Sequence, residues 1–235
     1  MIVFDKEPAY VLHRRPYQEA NSLVQFLTPE HGRVTAIARA SSRMMGKNLS
    51  PFIPALIGCS SRGDLFSLRT FDPQGKAILS TPKEQMIGMY INELVVRLVP
   101  RQIPSRRLFG YYADALPRLT DQSHCEITLR RFELKLLEIT GHGLQLDHDC
   151  MTHEPIMAGA RYRYEPGEGP VLSNGAQGGE LFSGKALLEI GRGLPDGDTQ
   201  VLRETKALLR VVIQYHLKSR ALHTRSLFHY LKEIT

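Results

Sequence analysis

Gly32-Arg33-Val34-Thr35-Ala36-Ile37-Ala38-Arg39 alternates strictly: Val34, Ala36 and Ala38 fall on one face of an extended chain, Arg33, Thr35, Ile37 and Arg39 on the other. That period of two is the clearest local signal in the chain, and it predicts a half-buried strand. Upstream, Leu23 to Leu27 form a short apolar run broken by Pro29-Glu30-His31-Gly32, as a hairpin connection would break it. Before that, Val11 and Leu12 lie in a strand ending at the turn material Arg15-Pro16. Downstream, the Ser-, Lys- and Arg-bearing stretch Ser41 to Ser50 reads as a loop. Pro51 to Cys59 and Asp64 to Phe71 follow as a second strand pair joined by Ser60-Ser61-Arg62-Gly63. About five strands with no helix between them point to a small closed barrel, which leaves no exposed sheet edges.

After Thr81-Pro82 the period changes. Ile87, Tyr90-Ile91, Leu94-Val95 and Leu98 have helical spacing, and Pro100 stops that helix. Ser105 to Leu119 is expected as a second helix. Leu129, Phe132, Leu136-Leu137 and Ile139 mark a third, ended by Gly141 and Gly143. Three prolines and six glycines between Pro155 and Gly179 exclude a long regular element there. Asp198 or Thr199 can cap a fourth helix running to about Leu217, and Thr224 a fifth running to the end. The fold class is α+β: a strand-rich block of about 80 residues, then a helical block with one irregular insertion.

The 235 residues carry a formal charge of +6, distributed unevenly. Residues 1–80 hold a net +4, residues 81–149 balance, residues 150–198 hold a net −3, and residues 199–235 a net +5. Positive charge at both ends points to a polyanionic partner. The start MIVFDKEPAY lacks the basic and apolar regions of a signal peptide, and no apolar run is long enough to cross a bilayer. Three cysteines do not make a disulfide framework, so a reducing, cytoplasmic setting is expected.

On the barrel, Arg14, Arg15, Arg33, Arg39, Arg43, Lys47 and Arg69 form a basic set. One reading is a track for the phosphates of a single strand, with Tyr17, Phe52 or Phe71 as stacking platforms. The other is the wet side of a half-exposed sheet. On the fourth helix Arg203, Lys206 and Arg210 fall at i, i+3 and i+7, on one face. They form either a second nucleic-acid surface or the solvated face of an amphipathic helix.

Cys150 and His153 have the spacing of half a zinc site, among His142, Asp147, His148 and Asp149. The second ligand pair belongs some 15–20 residues further on, and there Glu165 to Ala176 contains neither Cys nor His. A solvated polar turn is the default. Phosphate-binding glycine loops and a nucleophile elbow are absent, and Cys59 and Cys125 read as structural cysteines. A catalytic role is therefore not expected. The alternatives are an adaptor binding protein or RNA through the barrel, and a metal-dependent enzyme using the His142 to His153 segment.

Several stretches together resemble the RecO family of bacterial recombination mediators over nearly the whole chain. They are Ala9-Tyr10-Val11-Leu12 with Arg15-Pro16, Gly32-Arg33-Val34 leading to Ala38-Arg39-Ala40, and Pro51-Phe52. Tyr90-Ile91-Asn92-Glu93-Leu94 follows, then Arg130-Arg131-Phe132-Glu133-Leu134 with Leu137 and Gly141, and finally Ser226-Leu227-Phe228. The resemblance implies an OB-fold over residues 1–80 and an all-helical domain over 81–235. It also implies a zinc-finger-like insertion at about 147–182, here without the zinc ligands. It further implies binding of single- and double-stranded DNA, strand annealing, and work with RecR in loading RecA onto DNA coated by single-strand-binding protein. On that basis Arg33, Arg39, Arg43 and Lys47 take the phosphate role, with Arg14 and Arg69 behind them. Docking of the acidic C-terminal tail of single-strand-binding protein needs an apolar groove with a cation. Arg130 or Arg131, beside Phe132 and Leu136, are the candidates.

Overall fold

Strand β1 (Ile2–Tyr17) is the element that closes the sheet. Its first half pairs antiparallel with β4 (Pro54–Ser61), from Ile2 opposite Ser61 to Tyr10 opposite Pro54. Its second half pairs with β2 (Asn21–Thr28), from Tyr10 opposite Leu27 to Tyr17 opposite Asn21. Register shifts between Phe4 and Glu7, where Lys6 has φ 53°, and between Val11 and His13 bend it. Extra residues in one strand increase local twist, which lets a single strand serve two sides of the molecule. Strand β3 (Gly32–Ala38) pairs with β2 and runs parallel to β5 (Phe66–Pro73) at Ala36–Phe66 and Ile37–Ser67. The order β1-β2-β3-β5-β4 closes into a barrel, the expected OB-fold. A computed structural model describes residues 2–18, 20–39, 49–61, 65–173, 175, 179–194, 198–218 and 221–224.

Small and large inward residues alternate to fill the barrel. Ala9, Ala36, Ala38 and Ala55 leave room for Phe26, Phe66 and Phe71, with Val11, Val24, Val34 and Ile57 between them. Cys59 lies in this core, and burial pushes its thiol up to about 12, so it carries no thiolate. Gly32 opens β3 with φ +63°, and a Cβ there would fall 2.0 Å from the Ile103 carbonyl oxygen. Only glycine allows the chain near residue 103 to lie so close to the strand.

Helix α1 (Pro82–Leu98) starts at a capping box, in which Thr81 accepts from the Glu84 N–H and the Glu84 carboxylate reaches back to the Thr81 N–H. It ends before Pro100, as its spacing predicts. Helix α2 (Arg106–Arg118) is capped by Ser105. Both belong to one compact unit with the barrel, Met1–Asp121 plus Leu222–Thr235. The second unit is Gln122–Ala221. Packing thus divides the chain elsewhere than the change of period at Thr81.

The return of the chain to the first unit is held by one carboxylate. Glu93 on α1 accepts from the N–H groups of His223 and Thr224, both at 2.9 Å, from the Thr224 hydroxyl at 2.7 Å, and pairs with Arg97 at 2.8 Å. Glu93→Ala is expected to lower stability by about 1–2 kcal/mol. Thermal denaturation should record a drop of a few degrees, and hydrogen exchange should quicken at the His223 and Thr224 amides. Unchanged exchange there would contradict this role.

In the second unit, α3 (Cys125–Ile139) ends at Thr140, before Gly141 with φ +81°. The insertion is more regular than its glycines and prolines predict. β6 (Arg161–Glu165), β7 (Gly169–Leu172) and β8 (Leu181–Ser183) form a three-stranded antiparallel sheet in the order β7-β6-β8. The remainder of the chain is therefore not wholly helical. Helix α4 (Gly184–Gly191), unforeseen in the sequence, follows β8 directly under a Ser183 cap. Helix α5 (Thr199–His216) begins where Asp198 accepts from the N–H groups of Gln200 and Val201. No helix among the described residues is long and apolar enough to cross a membrane.

Candidate nucleic-acid interface

Pairing brings several of the expected arginines to one end of the barrel. Arg14 and Arg15 lie near the β1–β2 turn, Ser22 pairs with both Pro16 and Ala38, and Arg39 follows directly on β3. Two residues beyond the Ile37–Ser67 pair come Arg39 on one strand and Arg69 on the other. All four arginines are exposed. The Nε of Arg14 donates to the Ser22 hydroxyl at 3.1 Å, and that of Arg69 to the Ser60 hydroxyl at 2.8 Å. Neutral hydroxyl partners orient these guanidinium groups without cancelling their charge. Arg43 and Lys47 lie outside the described residues. Of the three aromatic candidates, Phe52 and Phe71 are buried in the core, whereas Tyr17 is half-buried at this same end.

Arg33 is on the face its spacing predicts but not in solvent. It points outward from the barrel core, yet it is only 7% exposed, because the chain's own helical segment covers this face. Its Nε donates to the Val99 carbonyl at 3.0 Å and its Nη1 to Gln25 Oε1 at 2.9 Å. The neighbouring outward residues Leu23, Leu27 and Thr35 are buried as well. In OB-folds the face of strands 2 and 3 commonly binds oligonucleotides. Here α1 and the connection to α2 occupy part of it. Asn92 on α1 donates from Nδ2 to the Leu12 carbonyl at 3.0 Å and accepts from the Tyr112 hydroxyl of α2 at 2.7 Å. One buried amide thus fixes both helices against β1.

The same connection carries cations that the balanced charge of residues 81–149 conceals. Arg101, Arg106 and Arg107 are all exposed. Arg106 pairs with Glu30 of the β2–β3 turn at 2.6 Å, and Arg107 lies 5.7 Å from the centre of the Tyr111 ring. The only sign of them in the sequence is the short run Arg101-Gln-Ile-Pro-Ser-Arg-Arg107.

In the second unit, Arg203, Lys206 and Arg210 are exposed along one side of α5, while Val201, Leu208, Leu209 and Val212 are buried. Lys206 lies 3.5 Å from Glu126 across an exposed pair, which leaves most of the positive field of the stripe intact. The residues expected to form a peptide groove are placed differently. Phe132 and Leu136 are core residues of α3, and Arg130 is buried against Glu133 at 2.5 Å. Arg131 donates from Nε and Nη2 to the Leu194 carbonyl at 3.1 and 2.8 Å. These side chains are engaged in holding the unit together.

Around Cys150 and His153, a carboxylate makes the cross-link. Asp149, 3% exposed, accepts from the N–H groups of Met151 at 2.8 Å and Thr152 at 3.0 Å through Oδ1, and from Leu172 at 2.6 Å through Oδ2. Burial opposes its charge, but the N–H groups of Thr152, Leu172 and Met151 outweigh that and hold its carboxyl below the ordinary value. The opposite edge of the sheet is treated alike: Glu204 of α5 accepts from the Ser183 N–H at 2.6 Å and the Ser183 hydroxyl at 2.9 Å. Both edge strands thus have an otherwise orphan N–H satisfied by a carboxylate. Among the described residues, no three His, Cys, Asp or Glu side chains converge as metal ligands would.

Comparison with known proteins accords with this architecture. The family model described as Recombination protein O N terminal matches residues 1–74, and that described as Recombination protein O C terminal matches residues 79–226. A DNA repair protein RecO from Nitrosococcus oceani is 38% identical over 233 residues, covering 97% of this chain and 94% of the relative. One from Halorhodospira halophila is 38% identical over 233 residues, covering 97% of each. One from Coxiella burnetii is 38% identical over 225 residues, covering 94% of this chain and 96% of the relative. With both halves matched and relatives aligned nearly end to end, the chain belongs to the RecO family of recombination and DNA repair proteins.

Proposed function

We propose that this chain binds single- and double-stranded DNA, anneals complementary strands and, together with RecR, helps load RecA onto DNA coated by single-strand-binding protein. The observation that carries the reading is the group of exposed arginines at one end of the barrel, Arg14, Arg15, Arg39 and Arg69, two of them donating to neutral hydroxyl groups. Annealing needs no catalytic residue. Cations reduce the repulsion between two phosphate backbones, and base pairing supplies both specificity and driving force. Arg43 and Lys47 extend the same role along the chain. The exposed Arg203, Lys206 and Arg210 of α5 form a second phosphate-binding stripe. Residues 1–80 act as the DNA-binding domain and residues 81–235 as the partner-binding one. The acidic tail of single-strand-binding protein docks on the latter, in the cytoplasm and on the nucleoid.

Arg14→Glu combined with Arg39→Glu is the direct test. Both side chains are exposed, so the fold should survive. The affinity for a labelled single strand should fall by an order of magnitude or more, and the slope of log affinity against log salt should become shallower by about 2. Annealing should slow in parallel. Unaltered binding and annealing by the folded double variant would remove the barrel from the interface. Annealing on DNA coated with tail-less single-strand-binding protein, compared with the intact coat, tests the partner half. Equal rates on the two coats would exclude tail docking.

A further inference from the structure

Two arginines stand side by side on the outside of β3, and among the described residues neither has an acidic partner. Arg33 is a buried cation whose two hydrogen-bond acceptors, the Val99 carbonyl and the Gln25 amide, are both neutral. Arg101 joins β3 through a parallel bridge opposite Arg33, and the Gln102 N–H donates to the Arg33 carbonyl at 3.1 Å. The turn is held in place rather than loosely apposed. Gln102 has φ 57°, a conformation that L residues adopt at a cost, and Gly32 admits the Ile103 backbone against the strand. Burial, then the charge of Arg101, depresses the Arg33 guanidinium below its ordinary value. Thr35, next on the same outward face, is 4% exposed, and among the described residues its hydroxyl has no hydrogen-bond partner.

Each of these features disfavours the unliganded protein. A buried charge without a counter-charge and a second like charge fixed beside it are both destabilising in isolation. An oxyanion held by Arg101 would offset the repulsion and bring a counter-charge to both guanidinium groups. The surroundings favour a phosphate that belongs to a chain. Arg106, paired with Glu30 but exposed, and exposed Arg107 follow Arg101 at the start of α2, which suits a polyanion crossing several sites more than a single small ion.

We infer that Arg101, backed by Arg33, forms a phosphate-binding pair that takes one phosphodiester group of a nucleic-acid backbone. Arg101 makes the direct contact, and Arg33 stiffens the site and adds its field from beneath. The inference rests on the nucleic-acid reading above but places a contact outside the barrel strands, on the segment joining α1 to α2.

The test uses the full chain with Arg101→Ala and Arg101→Glu. Fluorescence anisotropy of a labelled single strand should show a three- to tenfold loss of affinity for Arg101→Ala and a larger one for Arg101→Glu. The salt slope should be shallower by about 1 for Arg101→Ala. The melting midpoint of Arg101→Ala should be unchanged or higher, because a repulsion has been removed. Wild-type affinity and slope in Arg101→Glu would overturn the inference while leaving the proposed function standing. Failure of the unmodified chain to bind would instead overturn the proposed function. A lowered midpoint with an unchanged slope would make Arg101 a structural residue and overturn it too. Inorganic phosphate provides the last arm. If it raises the wild-type midpoint but not that of Arg101→Ala, while DNA affinity is equal for both, the site holds a small anion and the nucleic-acid assignment falls.

Discussion

Asn92→Ala is expected to destabilise the barrel-containing unit by about 4 kcal/mol, because it removes two buried hydrogen bonds together with the side chain that makes them. Asn92 is 2% exposed, and its amide bridges the Leu12 carbonyl of β1 and the Tyr112 hydroxyl of α2. Tyr112 is wholly buried, and burial pushes its phenol far above the ordinary value, so the hydroxyl cannot escape the loss by ionising. Removing the amide also opens a small cavity beside Tyr112, whose ring packs 5.1 Å from that of Tyr10. For a unit of this size the melting midpoint should fall by roughly 10–15 °C. Tyr112→Phe, which leaves only the Asn92 oxygen unpaired, should cost about 1–2 kcal/mol. The double variant should lose less than the sum of the two, because both changes break the same bond. Strict additivity in chemical denaturation would show that this network does not couple the helices to the barrel.

The second large effect is expected at Asp149. Asp149→Ala removes one acceptor from three backbone N–H groups and should cost about 3 kcal/mol, confined to the unit that holds α3 to α5. The N–H of Leu172 would be left at the edge of β7, so hydrogen exchange should accelerate there and in the Met151–Thr152 turn. The pH dependence has a definite sign. The folded carboxyl lies below its ordinary value, so the unfolded chain binds the proton more readily. This contribution is therefore complete above the ordinary carboxyl pKa near 4 and is lost as pH falls through the lower folded value. Asp149→Ala should abolish that part of the acid sensitivity. An acid unfolding curve that is merely shifted, with its shape retained, would contradict the assignment.

These two residues mark the boundary of what could be read in advance. The barrel was legible because a strand's inward and outward faces alternate within a few residues, so Val34, Ala36 and Ala38 announce the core without help from elsewhere. Helices α1 and α5 were legible from local chemistry: a Thr81-Pro82 start and a Pro100 stop for one, an Asp198 cap for the other. The three strands of the insertion were not. They are five, four and three residues long, interrupted by Gly167, Gly169 and Pro170, and their edges are completed by the distant carboxylates Asp149 and Glu204. Helix α4, eight residues long, is too short for its apolar period to stand out.

The candidate site divides along the same line. Arg39 and the α5 stripe of Arg203, Lys206 and Arg210 are exposed as local periodicity implies, and Arg14 and Arg69 are exposed as well. Arg33, Arg130 and Arg131 have equally basic side chains, yet they are engaged by other parts of the chain. Period tells which face a residue is on, not what lies over that face. The Val99 carbonyl that accepts from Arg33 is 66 residues away, and the Leu12 carbonyl that accepts from Asn92 is 80 residues away. Side-chain alternation and end-capping are short-range effects that the order of residues sets directly. Which outward face meets solvent, and which meets another part of the chain, depends on the long-range packing of α1 and the connection after it against the barrel.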